Sequence, residues 1–350
     1  MRPRLQSDID RQHGAFTRVQ ALAAGYTDRE IKANTRPAGP WRLIHSGVYV
    51  TEDHLDELEA SQRWQLRDRA ALIQARRPAV LSHGSAARLL GLRTLRVEVP
   101  GTHLTHRGGR GTRKSGTVTR HRDLLPLCTE WHDGLPATSH ARTALDLGRL
   151  HGYTHALVAI DGALNSGVPR VDFEVELARM HTHPHIARAR SALDASDAGS
   201  ESALETLARD FLIELDLGVV ETQFGVRLMD GRVVWCDIRI GCHIFECHGF
   251  IKMLPPEEGG VARDSAPNVL RDQRARETAL RAVGLGVSTI VWEDLFGHGR
   301  QIARARLRRE YAVTATRFGE TLPEHLRRFA DAHPRPLGTL WRPSDLDRAA

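Results

Sequence analysis

Cysteine, lysine, aromatic side chains and long apolar runs are all scarce in this chain, and each shortage excludes something. Only four cysteines, Cys128, Cys236, Cys242 and Cys247, serve 350 residues. No two of them form a C-x-x-C pair, which excludes a zinc ribbon or a dithiol redox motif. So few cysteines fit a reducing compartment, and a cytoplasmic location is expected. No apolar run approaches the ~18–20 residues of a membrane helix, so no membrane partner is expected. The start, MRPRLQSDIDRQHG, lacks the apolar stretch of a secretion signal. Lys32, Lys114 and Lys252 are the only lysines among 49 basic residues. Codon composition explains that bias as readily as selection for bidentate phosphate contacts does.

Hydrophobic residues make up 41% and charged residues 26%, which suits folded cores rather than disorder. The length predicts two or three domains. A net charge of +6 and a pI near 9.5 favour a polyanionic partner. Residues 5–51 read as three helices and a short hairpin. Thr17 and Thr27 are N-caps, Gly25 ends the helix that Thr17 starts, and Trp41–Ile44 and Gly47–Val50 are the strands. This pattern makes a winged helix-turn-helix. The helix over 27–34 offers Thr27, Arg29, Glu30 and Lys32 to a DNA groove, while Arg36 and Arg42 suit phosphate. Residues 55–195 read as a mixed α+β middle region. Its helices are expected near 56–76, 82–90, 139–150, 153–166, 171–181 and 186–195, and its strands near 95–100 and 117–122. The basic stretch 107–116 is a hairpin loop that suits phosphate but fails the P-loop pattern, because Arg113 stands where glycine is required. His181-Thr182-His183-Pro184-His185 alternates imidazoles around a proline, a spacing that suits a loop rather than an ordered metal site.

After a linker at 194–200, Leu204, Leu207, Ala208, Phe211, Leu212 and Leu215 recur at helical spacing. Strands are predicted at 221–229, 232–240 and 243–248, a polar loop at 254–264, a helix at 267–283 and a strand at 287–292. The order α-β-β-β-α-β is the core of a restriction-endonuclease-like domain over 200–297, followed by a basic tail at 298–350. The chain is therefore expected to be a multidomain α/β protein. Metal-assisted phosphodiester hydrolysis needs carboxylates to hold a divalent cation. A hairpin can bring Asp237, Glu246 and His248 together, and Lys252 can reach the same phosphate. Glu205 fits a capping box with Ser202. The tail's arginines suit a solvated or DNA-facing helix.

Two resemblances follow from these residues. Glu201-Ser-Ala-Leu-Glu205, Asp237 and Phe245-Glu246-Cys247-His248-Gly249-Phe250-Ile251-Lys252 resemble the PD-(D/E)XK endonuclease-like domain related to the very-short-patch-repair endonuclease. That likeness implies Glu201 as the helix-borne acid, Asp237 and Glu246 as ligands of Mg2+ or Mn2+, and Lys252 at the phosphate. Relatives read E-x-D-G-x-x-K where this chain reads E-x-H-G-x-x-K, so His248 is a base, a ligand or an inert replacement. The mismatch-repair enzyme itself carries His-Gly there. Residues 8–51, through Gln12–Thr17, Ala21–Thr27 and Trp41–Tyr49, resemble the N-terminal domain of AbiEi-type antitoxins, and Leu81–Ala87 and Gly134–Ser139 continue the likeness. It implies a repressor of its own operon that opposes a nucleotidyltransferase toxin. Three readings result: a DNA-binding antitoxin-type regulator with a nuclease-like end, an active metal-dependent endonuclease aimed at double-stranded DNA, and a non-catalytic interaction scaffold. The oligomeric state is not legible.

Overall fold

The computed structural model describes residues 1–75, 77–95, 101–123, 129–248 and 266–335. It is a mixed α/β protein with three sheets, and its chain divides into two compact units. The first holds Met1–Ala159 and Arg170–Arg190; the second holds Ile160–Pro169 and the chain from Ser191 onward. Residues 5–51 and most of the expected middle region thus share one unit. Among the described residues no helix is long and apolar enough to cross a membrane.

The first unit begins with α1 (Pro3–Arg11), β1 (Phe16–Thr17), α2 (Arg18–Ala23), α3 (Asp28–Asn34), β2 (Trp41–His45) and β3 (Val48–Thr51). Capping boxes start both short helices: Thr17 bonds Gln20, and Thr27 bonds Glu30. The strands run antiparallel in the order β1-β3-β2. Leu5, Ile9, Phe16, Ala21, Ile31, Trp41 and Tyr49 form one core, with Phe16 edge-on to Trp41 at 4.9 Å. The two-residue β1 was not foreseen; its length is below what period-2 alternation can register.

α4 (Glu52–Glu57) and α5 (Ala60–Ile73) follow. Leu66 and Ala70 of α5 pack on Val48 and Val50, fixing α5 to the first sheet. The six-stranded sheet contains β4 (Ala79–Leu81), β5 (Thr102–Arg107), β6 (Gly111–Ser115), β7 (Val118–Asp123), β8 (Thr129–His132) and β9 (Leu135–Thr138), in the order β6-β7-β5-β4-β9-β8. β5 and β7 are parallel, while β6 and β7 form an antiparallel hairpin. The stretch read as a loop at 107–116 therefore contains β6, and the reading over 117–122 becomes β7. Residues 96–100 of the predicted strand lie outside the described residues. The helices are α6 (His83–Leu89), α7 (His140–His151), α8 (Tyr153–Asn165), α9 (Arg170–Arg179) and α10 (Ile186–Asp194), close to their expected positions.

In the second unit, α11 (Ala203–Leu215) buries the six apolar residues read at helical spacing. β10 (Val220–Arg227), β11 (Val233–Ile240), β12 (His243–Cys247), α12 (Ala266–Ala282) and β13 (Gly286–Ile290) complete the α-β-β-β-α-β order. The sheet runs β10-β11-β12-β13, antiparallel except for the parallel β12–β13 pair. Gly231, at φ +85°, makes the predicted turn between β10 and β11. Cys236, Cys242 and Cys247 are buried free thiols, as their strand context suggested. Cys128 and the loop 254–264 lie outside the described residues. The chain continues through α13 (Gly297–Phe318) and α14 (Glu324–Ala332).

Candidate functional site

The second unit's acids meet where a ladder ends. β11 and β12 pair as far as Ile238 and Phe245. One residue beyond, Asp237 Oδ2 accepts the Cys247 N–H at 2.8 Å. The side chain thus satisfies a donor at the end of the ladder. Glu246 on β12 is only 7% exposed. Its Oε1 accepts from Arg276 Nη2 at 3.0 Å, and the same nitrogen donates to the Trp235 carbonyl at 2.5 Å. Burial, and then the charge of Asp237, push the Glu246 carboxyl up to about 7 against the pull of Arg276. The His248 N–H continues the parallel pairing by donating to the Ile290 carbonyl at 2.9 Å.

The other residues expected in the nuclease-like site take different places. Glu201 is ion-paired with Arg335, whose Nη2 lies 2.8 Å from Oε2. Glu205 is buried; it accepts the Glu201 N–H at 2.7 Å and the Ser202 hydroxyl at 2.8 Å, and Ser202 in turn accepts the Glu205 N–H. It is a helix cap. Lys252 and Gly249 lie outside the described residues. Among the described residues Asp237 and Glu246 come together and no third ligating side chain closes the set.

The predicted DNA-contact residues divide in two. Arg29 and Lys32 are exposed on α3, with Arg36 exposed just past its end. Thr27 is engaged as a cap: its N–H and hydroxyl donate to Glu30 Oε2 at 2.7 and 2.8 Å. Arg42 pairs with Glu52 and donates to the Gly39 carbonyl at 2.5 Å, bracing the start of β2.

A second basic surface lies beside the turn between β2 and β3. A groove of about 860 Å³ runs from His45 and Ser46 across Arg77, Arg107, Arg113, Arg120 and Arg122. None of these five arginines has a carboxylate partner among the described residues. The β6–β7 register sets Arg113 directly opposite Arg120. Like charges in that position repel, and an anion between them would relieve the repulsion. Gly116-Thr117 joins the two strands, and Arg120 and Arg122 alternate along β7.

Beneath a neighbouring cavity of about 240 Å³, Arg142 is buried among acids. It pairs with Asp123, with Asp146 at 2.8 Å and with Glu176 at 3.9 Å. Burial works against the Asp146 carboxylate, but Arg142, His83 and Arg149 outweigh it and hold the carboxyl well below the usual range. In the 181–185 run, His181 bonds the Ala178 carbonyl and His183 bonds Asp123 at 3.0 Å, so these imidazoles do not share one point.

No family model matches the chain. Two proteins of Mycobacterium tuberculosis, named uncharacterized protein MT2308 and uncharacterized protein Rv2248, are each 26% identical over 223 residues, covering 62% of this chain and 76% of theirs. The crystal structure of RV2827C protein from Mycobacterium tuberculosis matches 59% of this chain and 78% of its own at 16% identity, with a TM-score of 0.36.

Proposed function

We propose that this chain binds double-stranded DNA through its first unit, as a regulator of antitoxin type with a restriction-endonuclease-like second unit. One observation carries the DNA reading: among the described residues the arginines beside the β2–β3 turn have no carboxylate partners, and Arg113 stands opposite Arg120. In this reading α1–α3 and the sheet β1-β3-β2 form a winged helix-turn-helix. α3 presents Arg29 and Lys32 to a groove, and the β2–β3 turn is a wing that leads into the arginine groove. Phosphate contacts dominate the affinity of such surfaces and make it salt-dependent. The residues resembling AbiEi antitoxins support the assignment of self-repression and of a nucleotidyltransferase toxin as partner.

The test is duplex binding by fluorescence anisotropy across a salt series, on DNA from the chain's own promoter and on random DNA. Affinity falls as salt rises. The triple variant Arg113→Ala, Arg120→Ala, Arg122→Ala flattens the log–log slope by roughly 2–3, because each B-DNA phosphate contact contributes ~0.9. Absence of binding even at low salt would sink this reading and leave the interaction scaffold.

The meeting of Asp237 and Glu246 favours a second reading, a metal-dependent DNA endonuclease. Two oxygen donors on neighbouring strands fit a hard divalent cation, which is commonly held by one or two carboxylates, waters and phosphate. Asp237 and Glu246 would hold Mg2+ or Mn2+, which when bound supplies charge stabilisation and an acidified water. Arg276 already neutralises part of this site. Supercoiled plasmid with either metal separates the readings: nicking that is lost in Asp237→Ala establishes the endonuclease, and an intact plasmid leaves the regulator.

A further inference from the structure

Three histidines that no sequence motif joins meet in the first unit. His83 opens α6, and it does so at φ +49°, in the left-handed region that side chains other than glycine adopt at a cost. His103 lies on β5 and His121 on β7. The parallel register sets His103 beside Thr119 and Thr105 beside His121, so the two imidazoles leave the sheet on the same face. His103 Nδ1 and His121 Nε2 are 3.0 Å apart, and the His83 ring stacks on His121 with centroids 3.9 Å apart. One ring nitrogen from each residue lies within 4.8 Å of the other two.

We propose that His83, His103 and His121 form a binding site for one borderline divalent transition-metal ion of the Zn2+ class. The donor set decides the class: three imidazoles, without thiolate or a full carboxylate shell, suit Zn2+, Co2+, Ni2+ or Cu2+ rather than Mg2+ or Ca2+. Nitrogens bound tetrahedrally to zinc at about 2.0–2.1 Å stand roughly 3.4 Å apart. The His103–His121 pair is already inside that spacing; His83, stacked on His121, turns its ring to aim at the same point, and the widest pair closes by at most roughly 1.4 Å. Hydroxyls hold the far sides of two rings: Ser82 Oγ is 3.0 Å from His83 Nδ1, and Thr112 Oγ1 is 3.2 Å from His121 Nδ1. Such outer partners fix ring orientation and leave the opposite nitrogen for the ion. Burial disfavours the charged form of all three imidazoles, the form that cannot bind a metal. A cavity of about 720 Å³ reaches all three and gives the ion a way in. Lys114 and Arg149 line that cavity, so a fourth, exchangeable position there suits hydroxide or another anion.

The site does not rest on the DNA-binding reading. The test uses the full-length protein stripped with chelator and titrated with Zn2+, and with Co2+ for its visible absorption. One equivalent binds tightly, zinc raises the melting temperature, and the cobalt spectrum is that of a low-coordinate nitrogen-ligated ion. His103→Gln and His121→Gln each weaken binding at least ten-fold, while His325→Gln, exposed on α14, leaves it unchanged. Thr112→Val, an exposed change that spares the core, weakens it about ten-fold and serves if the histidine variants misfold. Failure of the wild-type chain to take up one equivalent would overturn the proposal. So would uptake that is equal in the wild type and in folded histidine or Thr112 variants.

Discussion

Arginine behaves differently in the second unit and on the β6–β7 hairpin of the first. In the second unit acids engage it. Arg209 meets Asp161 at 3.1 Å, Arg276 meets Glu246, Arg306 meets Asp294 at 2.8 Å, Arg300 and Arg304 share Glu214, and Arg327 forks onto Glu221. Even Arg308 of α13 donates to the Leu215 carbonyl at 2.6 Å. In the basic stretch after residue 299, expected as a solvated or DNA-facing helix, Arg300, Arg304, Arg306 and Arg308 are tied to groups of their own unit, while Arg309 is exposed. On the β6–β7 hairpin of the first unit, Arg113, Arg120 and Arg122 face a groove without acids. A net charge of +6 therefore says little about where a polyanion would sit. The position is set by which cations lack carboxylates.

The largest effect that tests this contrast is on stability. Arg209→Leu leaves Asp161, fully buried, without its cation. Breaking a buried pair from one side costs roughly 3–5 kcal/mol, read as a lower urea midpoint, and Asp161→Asn in the same chain recovers part of it. DNA affinity is unchanged. The groove variants do the reverse. Arg113→Ala, Arg120→Ala and Arg122→Ala each move stability by less than about 0.5 kcal/mol, because no carboxylate among the described residues pairs with them, yet together they weaken DNA binding. A large loss of stability on removing groove arginines would erase the contrast.

That contrast also marks what could be read from the sequence. Helices with a clear apolar stripe or a cap were legible: α11 from its leucines, α2 and α3 from Thr17 and Thr27. The order of elements in the second unit was legible too, since its strands are short apolar-rich runs bounded by turns such as Asp230-Gly231. Long-range pairing was not. β6 is exposed along its whole length, so no alternation of burial betrays it, and without β6 the Arg113–Arg120 opposition is invisible. The three histidines lie at 83, 103 and 121, and only the parallel β5–β7 register brings them together. Asp237 and Glu246 were legible as a pair because one hairpin joins them. Arg276, which lies thirty residues on and neutralises Glu246, was not.

Titration sharpens the comparison from the acidic side. The Glu246 carboxyl sits at about 7 in the folded chain, above its ordinary value. Between roughly pH 4.5 and 7 the unfolded chain has lost this proton while the folded chain keeps it, so stability falls as pH rises through that window, by roughly 3 kcal/mol from this group. Below the window both states are protonated and the term vanishes. Asp237→Asn keeps the acceptor for the Cys247 N–H but removes the neighbouring charge. The fall between pH 4.5 and 7 becomes shallower by roughly 1–2 kcal/mol, measured by urea unfolding at several pH values. An unchanged pH profile would mean that burial alone holds the proton.

The smallest predicted effect separates a cap from a base contact. Thr27 was expected both as an N-cap and at the DNA interface, and its hydroxyl closes a reciprocal pair with Glu30 at the start of α3. Removing an N-cap hydroxyl costs about 1 kcal/mol, and Thr27→Ala should lower stability by that amount. Its salt slope for DNA stays that of the wild type, because no phosphate contact is lost. Thr27→Ser keeps the cap and restores stability. Arg29→Ala and Lys32→Ala, about half a turn and one and a half turns further along α3, do the opposite: stability holds and each reduces the slope by roughly 0.9 if it meets phosphate. If Thr27→Ala weakens DNA binding while Thr27→Ser does not, the hydroxyl serves the duplex as well as the helix, and α3 enters the groove by its first residue.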